Sequence, residues 1–196
     1  MGKRIFDIAF SLVALVLLSP LFFVLAIIVL CDGSGGIFFT QVRVGKNGKT
    51  FRLIKFRTMR SKSEASGQLT IGSGDHRITR SGSILRNYKL DELPQLVNVL
   101  LGQMSIVGPR PEVPRYVALY NEEQQHVLDI SPGITDYASL QYFHESDLLA
   151  KSENPEETYI NEVMPAKLQL NLQYIREQSF ISDCKIIGRT VRKIFA

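Results

Sequence analysis

The stretch IAFSLVALVLLSPLFFVLAIIVL, residues 8–30, decides the fold of the N-terminal part of the chain, because it contains no charged residue. A helix rises about 1.5 Å per residue, so a run of this length can cross a hydrocarbon core of about 30 Å. Ser19 and Pro20 lie near its middle, where proline removes a backbone hydrogen bond and kinks or breaks the helix. The run therefore predicts a membrane segment with a central break.

Basic residues flank the apolar run on both sides. Lys3 and Arg4 precede it, and a cluster of cations follows: Arg43, Lys46, Lys49, Arg52, Lys55, Arg57 and Arg60. Positive charge at both ends favours the cytoplasmic side for both. A re-entrant helix hairpin over residues 1–31 satisfies the break and the charges together, and we favour it over a straight span. A buried core helix fits less well, because soluble domains rarely contain an apolar run of this length. A cleaved signal peptide fits less well, because no small-residue cleavage site ends the run.

The composition of the 196-residue chain is that of a folded, mildly basic protein. Apolar residues make up 45% and charged residues 21%, the net charge is +4 and the pI is about 9.1. This charge suits nucleic acid, anionic lipid or a phosphorylated substrate equally well. Two isolated cysteines, Cys31 and Cys184, make neither a zinc site nor a disulfide framework. The chain is therefore expected to form one domain with an appended element.

Alternation and turn residues predict the elements of the remaining chain. Two strand-like runs flank Asn47-Gly48 in residues 37–59, which is typical of a β-hairpin. Residues 61–82 are polar and predict a loop, and a short helix follows over residues 83–90. The further expectations are a helix from Asp91 to Gly102, an extended segment over 105–114, helix over 115–129 and a turn at 131–135.

Two longer helices are expected at the C-terminal end. Asn154 followed by Pro155 is a good start for a helix of about twenty residues, which Pro165 should interrupt. Residues 181–195 place apolar side chains at helical spacing and basic ones on the other faces. Such a helix can lie on a membrane surface or pack on a core with a solvated face, and both alternatives stay open.

The motif LDELPQL, residues 90–96, places Asp91 beside Glu92 at a predicted helix start. Acids there are usually capping residues, because unpaired N–H groups and the helix dipole favour negative charge. Arg86 precedes the pair and Arg110, between Pro109 and Pro111, follows it. Arginines around an acid pair suggest a phosphate site with Mg²⁺, which typically binds one or two carboxylates plus substrate phosphate. A carboxylate in such a site can also act as a nucleophile.

Other basic and titratable residues point less clearly to chemistry. The cations of the β-hairpin are interpreted as a solvated, membrane-facing surface rather than as part of a catalytic site. Three scattered histidines, His76, His126 and His144, are expected to be surface or packing residues. A nucleic-acid binder would leave the apolar run and the acid pair unexplained, so no nucleic-acid partner is expected. A non-catalytic, membrane-associated basic scaffold or lipid-phosphate-binding protein remains the alternative function.

Over nearly its whole length the chain resembles the small monotopic phosphoglycosyl transferases of bacteria. The resemblance rests on the apolar segment with Ser19-Pro20, on KFRTM at 55–59, on LDELPQLVNVLLGQMSIVGPRP at 90–111 and on SPGIT at 131–135. It implies an α+β, mostly helical fold, with amphipathic interfacial helices and a short β-hairpin around a small globular catalytic domain at residues 32–196. It also implies the inner, cytoplasmic membrane as location, with the catalytic domain on the cytoplasmic face.

The resemblance implies an activity and roles for individual residues. Such enzymes move a sugar phosphate from a UDP-sugar to polyprenol (undecaprenyl) phosphate and release UMP, as the first membrane step of glycoconjugate assembly. Asp91 corresponds to the nucleophile that forms a covalent phosphosugar intermediate, and Glu92 to its partner at the Mg²⁺ site. Arg86 corresponds to a basic residue near the transferred phosphate. Substrate contacts are expected at Pro109, Arg110 and Pro111, and the membrane helix break at Ser19 and Pro20.

The chain departs from the commoner family pattern directly after SPGIT. Many relatives continue with glycine, a bulky residue, alanine or tryptophan, and glutamine, whereas this chain has Asp136, Tyr137, Ala138 and Ser139. The segment lies where substrate contacts are expected. The resemblance therefore leaves the identity of the sugar open.

Overall fold

In a computed structural model, the structure describes residues 2–60, 69, 71–72 and 75–195. The helices are α1 (Gly2–Leu17), α2 (Ser19–Cys31), α3 (Arg80–Asn87), α4 (Gln95–Leu100), α5 (Pro114–Val117), α6 (Glu122–Gln125), α7 (Tyr137–Gln141), α8 (Glu145–Leu149), α9 (Pro155–Thr158), α10 (Met164–Glu177) and α11 (Phe180–Ile194). The strands are β1 (Phe38–Val44), β2 (Thr50–Phe56), β3 (Ser105–Val107) and β4 (Gly133–Thr135). The fold is mostly helical, as predicted, and it contains a second two-stranded sheet, β3–β4, besides the predicted β-hairpin.

The predicted break lies between α1 and α2, which are bent by 64°. Pro20 has no N–H group, so the carbonyl of Val16, four residues earlier, loses its helical donor. The Ser19 hydroxyl donates to that carbonyl at 2.8 Å and replaces the missing bond. Within the described residues, no single helix is long and apolar enough to cross a membrane. The bent pair of α1 and α2 together meets this requirement, by length and composition only. The geometry is compatible with a re-entrant hairpin.

Most of the apolar surface of α1 and α2 remains uncovered. Leu17 is 73% exposed and Phe23 is 69% exposed, whereas Leu25 and Val29 pack with Phe56 in a small cluster. Contiguous exposed apolar surface of this kind marks an interaction site rather than a core. The alternative of a buried core helix is therefore wrong for this segment.

Polar contacts fix both ends of the α1–α2 pair to the rest of the chain. The Arg4 guanidinium donates to carbonyls at the C-terminus of α4, those of Val99 at 2.6 Å and Leu100 at 3.0 Å. The Asp7 carboxylate is buried and accepts bonds from β3. The Arg57 guanidinium donates to carbonyls at and beyond the end of α2, those of Val29, Gly33, Ser34 and Gly36. The pair is thus held rigidly against the residues that follow it.

The predicted β-hairpin is confirmed. β1 and β2 pair antiparallel from Phe38 opposite Phe56 to Val44 opposite Thr50. Asn47 and Gly48 in the connection have φ values of 56° and 72°, the left-handed region that this residue pair favours. Leu53 and Phe56 lie on opposite faces of β2 and are both buried: Leu53 packs in the cluster with α4 and β3, and Phe56 packs against α2.

The turn predicted at SPGIT is wrong at its second half, where Gly133–Thr135 form strand β4. β4 pairs parallel with β3, with Ser105 opposite Gly133 and Val107 opposite Thr135. A Cβ atom on Gly133 would lie 2.1 Å from the backbone nitrogen of Gly108. The glycine is thus needed for close approach of two backbones rather than for a turn.

The start of the central helix also differs from the prediction. Leu90–Glu92 form a 3₁₀ turn, and α4 begins only at Gln95. Lys89 has φ 54° and ends α3 in a left-handed conformation, which turns the chain before Asp91. Among the side chains that the structure describes, none caps α4 by a hydrogen bond, so the capping interpretation of the acid pair is not supported.

α4 buries only some of its apolar side chains. Leu96 and Val99 are buried, whereas Val97 and Leu101 are exposed. Asn98 decides this orientation, because its amide accepts from the backbone N–H of β2 at 3.0 Å and donates to a β2 carbonyl at 2.8 Å.

Two further boundaries move for local capping reasons. Half of the predicted loop at 61–82 lies outside the described residues, but α3 begins already at Arg80, because the Thr79 hydroxyl accepts from the Gly82 N–H. The predicted helix over 115–129 is split into α5, α6 and a 3₁₀ turn at His126–Asp129. A capping box between Asn121 and Gln124 starts the second helix afresh.

The long C-terminal helices are confirmed. α9 continues into α10 through one π-helical stretch, Tyr159–Val163, which ends two residues before Pro165, so the interruption expected at Pro165 is a change of helix type and not a break. The wider turn accommodates a ring that has no N–H group to donate. In α11, Asp183 and Ile186 are buried against the domain, while Phe180, Ile181 and Val191, as well as Phe195 directly after the helix, are exposed. α11 therefore packs on the core by one face and keeps an apolar exposed surface besides.

Candidate active site

The acid pair lies in the 3₁₀ turn between α3 and α4, and both of its carboxyl-bearing residues are buried. Asp91 is 6% exposed and Glu92 is 7% exposed. Arg86 in the last turn of α3 and Arg110 after β3 reach the same site, as the sequence predicts. The structure thus brings together the predicted pair and the two predicted arginines.

Glu92 is fully engaged by two cations. Its Oε1 lies 2.9 Å from the Lys55 ammonium, and the Arg110 guanidinium contacts both carboxylate oxygens, at 3.0 Å for Nη1 and Oε2. Burial alone would raise the pKa of Glu92, but Arg110 and then Lys55 outweigh burial and hold this pKa well below its usual range. Glu92 in turn raises the pKa of Arg110. Glu92 is therefore a fixed negative charge.

Asp91 is as buried as Glu92 but has different polar contacts and the opposite pKa shift. Its Oδ1 atom is buried and has no hydrogen-bond partner among the described residues. Burial above all, and the adjacent Glu92 charge, raise the pKa of the Asp91 carboxyl, although Lys55 and Arg86 oppose the shift. A carboxylate with a free, poorly solvated oxygen can attack phosphorus or bind a cation.

The pair opens onto a cavity of about 1390 Å³. Its polar wall includes Lys55, Arg86, Lys89 and Arg110. Its apolar wall comes from α1, the break after α1, and α11: Phe10, Ala14, Leu18, Ile187, Val191 and Ile194. The cavity is thus large enough for a nucleotide-sized anion, and it extends from the charged groups to the apolar hairpin.

Lys55 is the site residue that the sequence analysis missed. The cations of the β-hairpin were interpreted as a solvated surface, yet Lys55 binds Glu92 and Arg43 pairs with Glu112 beside the Pro-Arg-Pro segment. A signal for Lys55 exists in the strand pattern. Lys55 shares its parity with Phe51 and Leu53, the inward face of β2, whereas Arg52 points outward. A cation on an inward face requires a buried partner.

The fit of the site to Mg²⁺ follows from its donor atoms. The described residues contain no group of three or more His, Cys, Asp or Glu side chains that could hold a metal ion. Mg²⁺ needs only one or two carboxylates when substrate phosphates and water supply the other oxygens. The unpartnered Asp91 oxygen meets this requirement, and Glu92 could join it through Oε2, which accepts only one bond, from Arg110. The carboxylate pair therefore fits a metal that arrives with its phosphate ligand.

The fold and the site together define a class of protein: a small domain attached to a bent apolar helix pair, with a buried acid pair and several cations facing a common cavity. Comparison with known proteins gives the family. The family model described as bacterial sugar transferase matches residues 1–196. The chain belongs to this family, as the resemblance at the acid pair predicts.

Three relatives illustrate the similarity. The chain is 34% identical over 197 residues to the UDP-N-acetylgalactosamine-undecaprenyl-phosphate N-acetylgalactosaminephosphotransferase of Aeromonas hydrophila, covering 98% of this chain and 43% of that protein. It is 37% identical over 193 residues to the uncharacterized sugar transferase EpsL of Bacillus subtilis (strain 168), covering 98% and 86%. It is 36% identical over 201 residues to the UDP-glucose:undecaprenyl-phosphate glucose-1-phosphate transferase of Klebsiella pneumoniae, covering 98% and 40%.

These relatives differ in length and in the sugar that their names give. The chain spans less than half of the Aeromonas and Klebsiella proteins but most of EpsL. One name specifies N-acetylgalactosamine and another specifies glucose. The common element of these two names is a sugar phosphate transfer that involves undecaprenyl phosphate.

Proposed function

We propose that this protein transfers a sugar 1-phosphate from a UDP-sugar to polyprenol phosphate and releases UMP. The observation that carries the proposal is the buried, unpartnered Asp91 oxygen, next to a glutamate that two cations already neutralise. A purely structural acid pair would use its oxygens for capping or pairing. The names of the relatives support the same reaction class.

In the first step, the Asp91 carboxylate attacks the phosphorus that carries the sugar. A bond forms between a carboxylate oxygen and this phosphorus, and the bond from phosphorus to the bridging diphosphate oxygen breaks. UMP leaves with that oxygen and its electron pair. The product is an acyl phosphate that joins Asp91 to the sugar phosphate.

The surrounding cations make the attack of one anion on another feasible. Lys55 and Arg110 neutralise Glu92, so that Asp91 does not face an unpaired second carboxylate. Arg86 and Lys89 line the same cavity and are placed to meet phosphate oxygens. In a site shielded from water, such fixed charges stabilise the transition state strongly. A bound Mg²⁺, held by Asp91 and Glu92 with the diphosphate, would supply further charge neutralisation.

In the second step, an oxygen of polyprenol phosphate attacks the same phosphorus. The bond between phosphorus and Asp91 breaks, the carboxylate is regenerated, and a lipid diphosphate sugar is formed. The acceptor is a membrane lipid, which accounts for the exposed apolar surface of α1 and α2 beside the cavity. We therefore place residues 1–31 in the cytoplasmic membrane and the catalytic residues 32–196 at its cytoplasmic face, where UDP-sugars are made.

UMP release from a panel of UDP-sugars, with and without polyprenol phosphate, tests this proposal. Sustained release is expected only with the lipid, and both Asp91→Asn and EDTA should abolish it. Full activity in EDTA would show that the cations of the protein suffice without a metal. Binding of polyprenol phosphate with no UMP release from any donor would instead favour a lipid-phosphate-binding scaffold. The transfer, if observed, would be a first membrane step of glycoconjugate assembly.

A further inference from the structure

Asp136, in the segment that departs from the commoner family pattern, is fully buried and uses both carboxylate oxygens. Its Oδ1 accepts from the N–H of Ser139 at 2.6 Å, which caps the start of α7. Its Oδ2 accepts from the N–H of Arg110 at 3.1 Å. The first bond is ordinary helix capping. The second reaches a different segment of the chain, directly at the candidate active site.

The bond to Arg110 extends the parallel ladder beyond the end of β4. Gly108 donates to the Thr135 carbonyl at 3.0 Å, as the strand register requires. After Gly108, the next N–H on this side of the segment belongs to Arg110. The residues after β4 no longer run beside Arg110, because they turn into α7 at Tyr137. The Asp136 side chain supplies the acceptor that a longer strand would have provided. The segment after β3 is thereby held in strand-like register up to Arg110.

This contact uses the one backbone donor of the Pro-Arg-Pro segment, whose other main-chain contacts are made by acceptors: the carbonyls of Pro109 and Pro111 accept from the Gly133 N–H at 2.9 Å and from Arg43 at 3.0 Å. Pro109 and Pro111 have no N–H group, so Arg110 carries the sole backbone donor of these three residues. The two prolines fix their own φ angles but cannot donate a bond that orients the segment. The Arg110 guanidinium then reaches both oxygens of Glu92.

We propose that Asp136 is a positioning residue, which fixes the main chain of Arg110 so that its guanidinium meets Glu92 and the phosphate groups of a nucleotide-sugar donor. This inference rests on the proposed function. Its buried negative charge also lies close enough to favour the charged form of the Arg110 side chain. A carboxylate is required because two N–H donors approach from different segments.

Substitution by other capping residues separates positioning from capping. Asparagine and serine cap helices about as well as aspartate, so Asp136→Asn and Asp136→Ser can keep the bond to Ser139. Neither offers a second carboxylate oxygen to Arg110. We expect kcat/KM for the UDP-sugar to fall by about 10–100-fold in both variants, the loss typical of a displaced catalytic group. Asn154→Ala, which removes only the cap of α9, is the matched control and should leave kcat/KM unchanged.

A double-mutant cycle with Arg110→Lys gives a readout that a merely structural role would not move. If Asp136 acts through Arg110, Asp136→Asn should cost far less in the Arg110→Lys background than in the wild type. Equal fold losses in both backgrounds would overturn the proposal. If the wild type releases no UMP from any donor, the proposed function fails, and the cycle cannot be the deciding measurement.

Amide hydrogen exchange then decides the positional claim independently of activity. A peptide of residues 108–111 carries a single amide hydrogen, that of Arg110, because Gly108 becomes its amino terminus and Pro109 and Pro111 have none. The Arg110 amide should exchange slowly in the wild type and at least about 10-fold faster in Asp136→Asn, as expected for loss of about 1.4 kcal/mol of protection. Rapid Arg110 exchange in the wild type would overturn the proposal even if both variants failed to fold.

Discussion

At the scale of single residues, Asp91 and Glu92 are chain neighbours with equal charge and opposite environments. Glu92 has cationic partners on both oxygens, whereas Asp91 has a buried oxygen without a partner among the described residues. The pKa of Glu92 is held low by Arg110 and Lys55 in spite of burial, and the pKa of Asp91 is raised by burial. Glu92 therefore stabilises the fold, whereas Asp91 carries a destabilising charge that the fold tolerates, as expected for the proposed nucleophile.

The same change at the two positions should therefore shift stability in opposite directions. Asp91→Asn removes an ionised group whose folded pKa is raised, so the Tm at pH 7 should rise by about 2–4 °C, the equivalent of roughly 1 kcal/mol. Glu92→Gln leaves Lys55 and Arg110 without their carboxylate and should cost about 1.5–3 kcal/mol. Thermal unfolding monitored by circular dichroism measures both changes.

The pH dependence of these shifts follows from the two pKa directions. The cost of ionised Asp91 is absent below its ordinary value of 3.8 and grows as the pH rises through the raised folded pKa. The contribution of Glu92 is present above its ordinary value of 4.5 and disappears as the pH falls through the depressed folded pKa. A lower Tm for Asp91→Asn at pH 7 would contradict the assignment of Asp91 as the strained member of the pair.

At the scale of elements, the parallel pair β3–β4 places the Pro-Arg-Pro segment. Gly108 and Gly133 allow the two backbones to touch, and a Cβ on Gly108 would lie 2.6 Å from the Ser131 carbonyl oxygen. Gly108 joins β3 to Pro109, whose carbonyl accepts from the Gly133 N–H at 2.9 Å. The close contact between Gly108 and Gly133 therefore positions the backbone that carries Arg110.

Two glycine-to-alanine substitutions test this element. Gly133→Ala would force β3 and β4 apart, and we expect a loss of about 2–4 kcal/mol in the free energy of unfolding. Gly188→Ala, in the middle of α11, meets no atom within 4 Å and should instead stabilise by about 0.5–1 kcal/mol. Chemical denaturation of both variants gives the comparison. Equal effects at the two positions would refute the close-contact argument.

How far the sequence predicts the elements depends on whether their signal is local. The β-hairpin around Asn47-Gly48 and the helix that begins after Asn154 carry their own turn and cap residues, and both predictions are confirmed. β4 has three residues after Pro132 and forms only because β3 is brought beside it, so no local pattern could show it. The site follows the same rule. The sequence motifs predict Arg86 and Arg110, whereas the partners of Lys55 and Asp136 come from distant parts of the chain and have no local signal.

At the scale of the whole molecule, the α1–α2 pair is joined rigidly to the active site. Arg57 donates to carbonyls at the end of α2. It directly follows β2 and lies two residues after Lys55, which is in that strand. Asp32, just beyond α2, accepts from the backbone N–H of Ser81 at the start of α3, the helix that carries Arg86. The position of the hairpin in a bilayer would thus fix the height of the cavity above the lipid.

The topology predicts that both ends of the hairpin face the cytoplasm. Single cysteines at Gly2 and Lys46, both exposed, can be introduced after Cys31→Ser and Cys184→Ser remove the two exposed native thiols. Neither should react with an impermeant thiol reagent in intact cells, and both should react once the membrane is opened. Labelling of position 2 alone in intact cells would mean a true span. Pro20→Leu combined with Ser19→Ala should shift molecules towards that span, because it removes the break.

The central claim is that Asp91 becomes covalently bound to the sugar phosphate. Intact-protein mass spectrometry after incubation with UDP-sugar alone tests it most directly, with Asp91→Asn as the matched control. The wild type should gain the mass of one sugar phosphate at Asp91 and release one equivalent of UMP, and polyprenol phosphate should remove the added mass. The Asn variant should gain nothing. Steady turnover by the wild type with no adduct at Asp91, or normal turnover by the variant, would contradict the account.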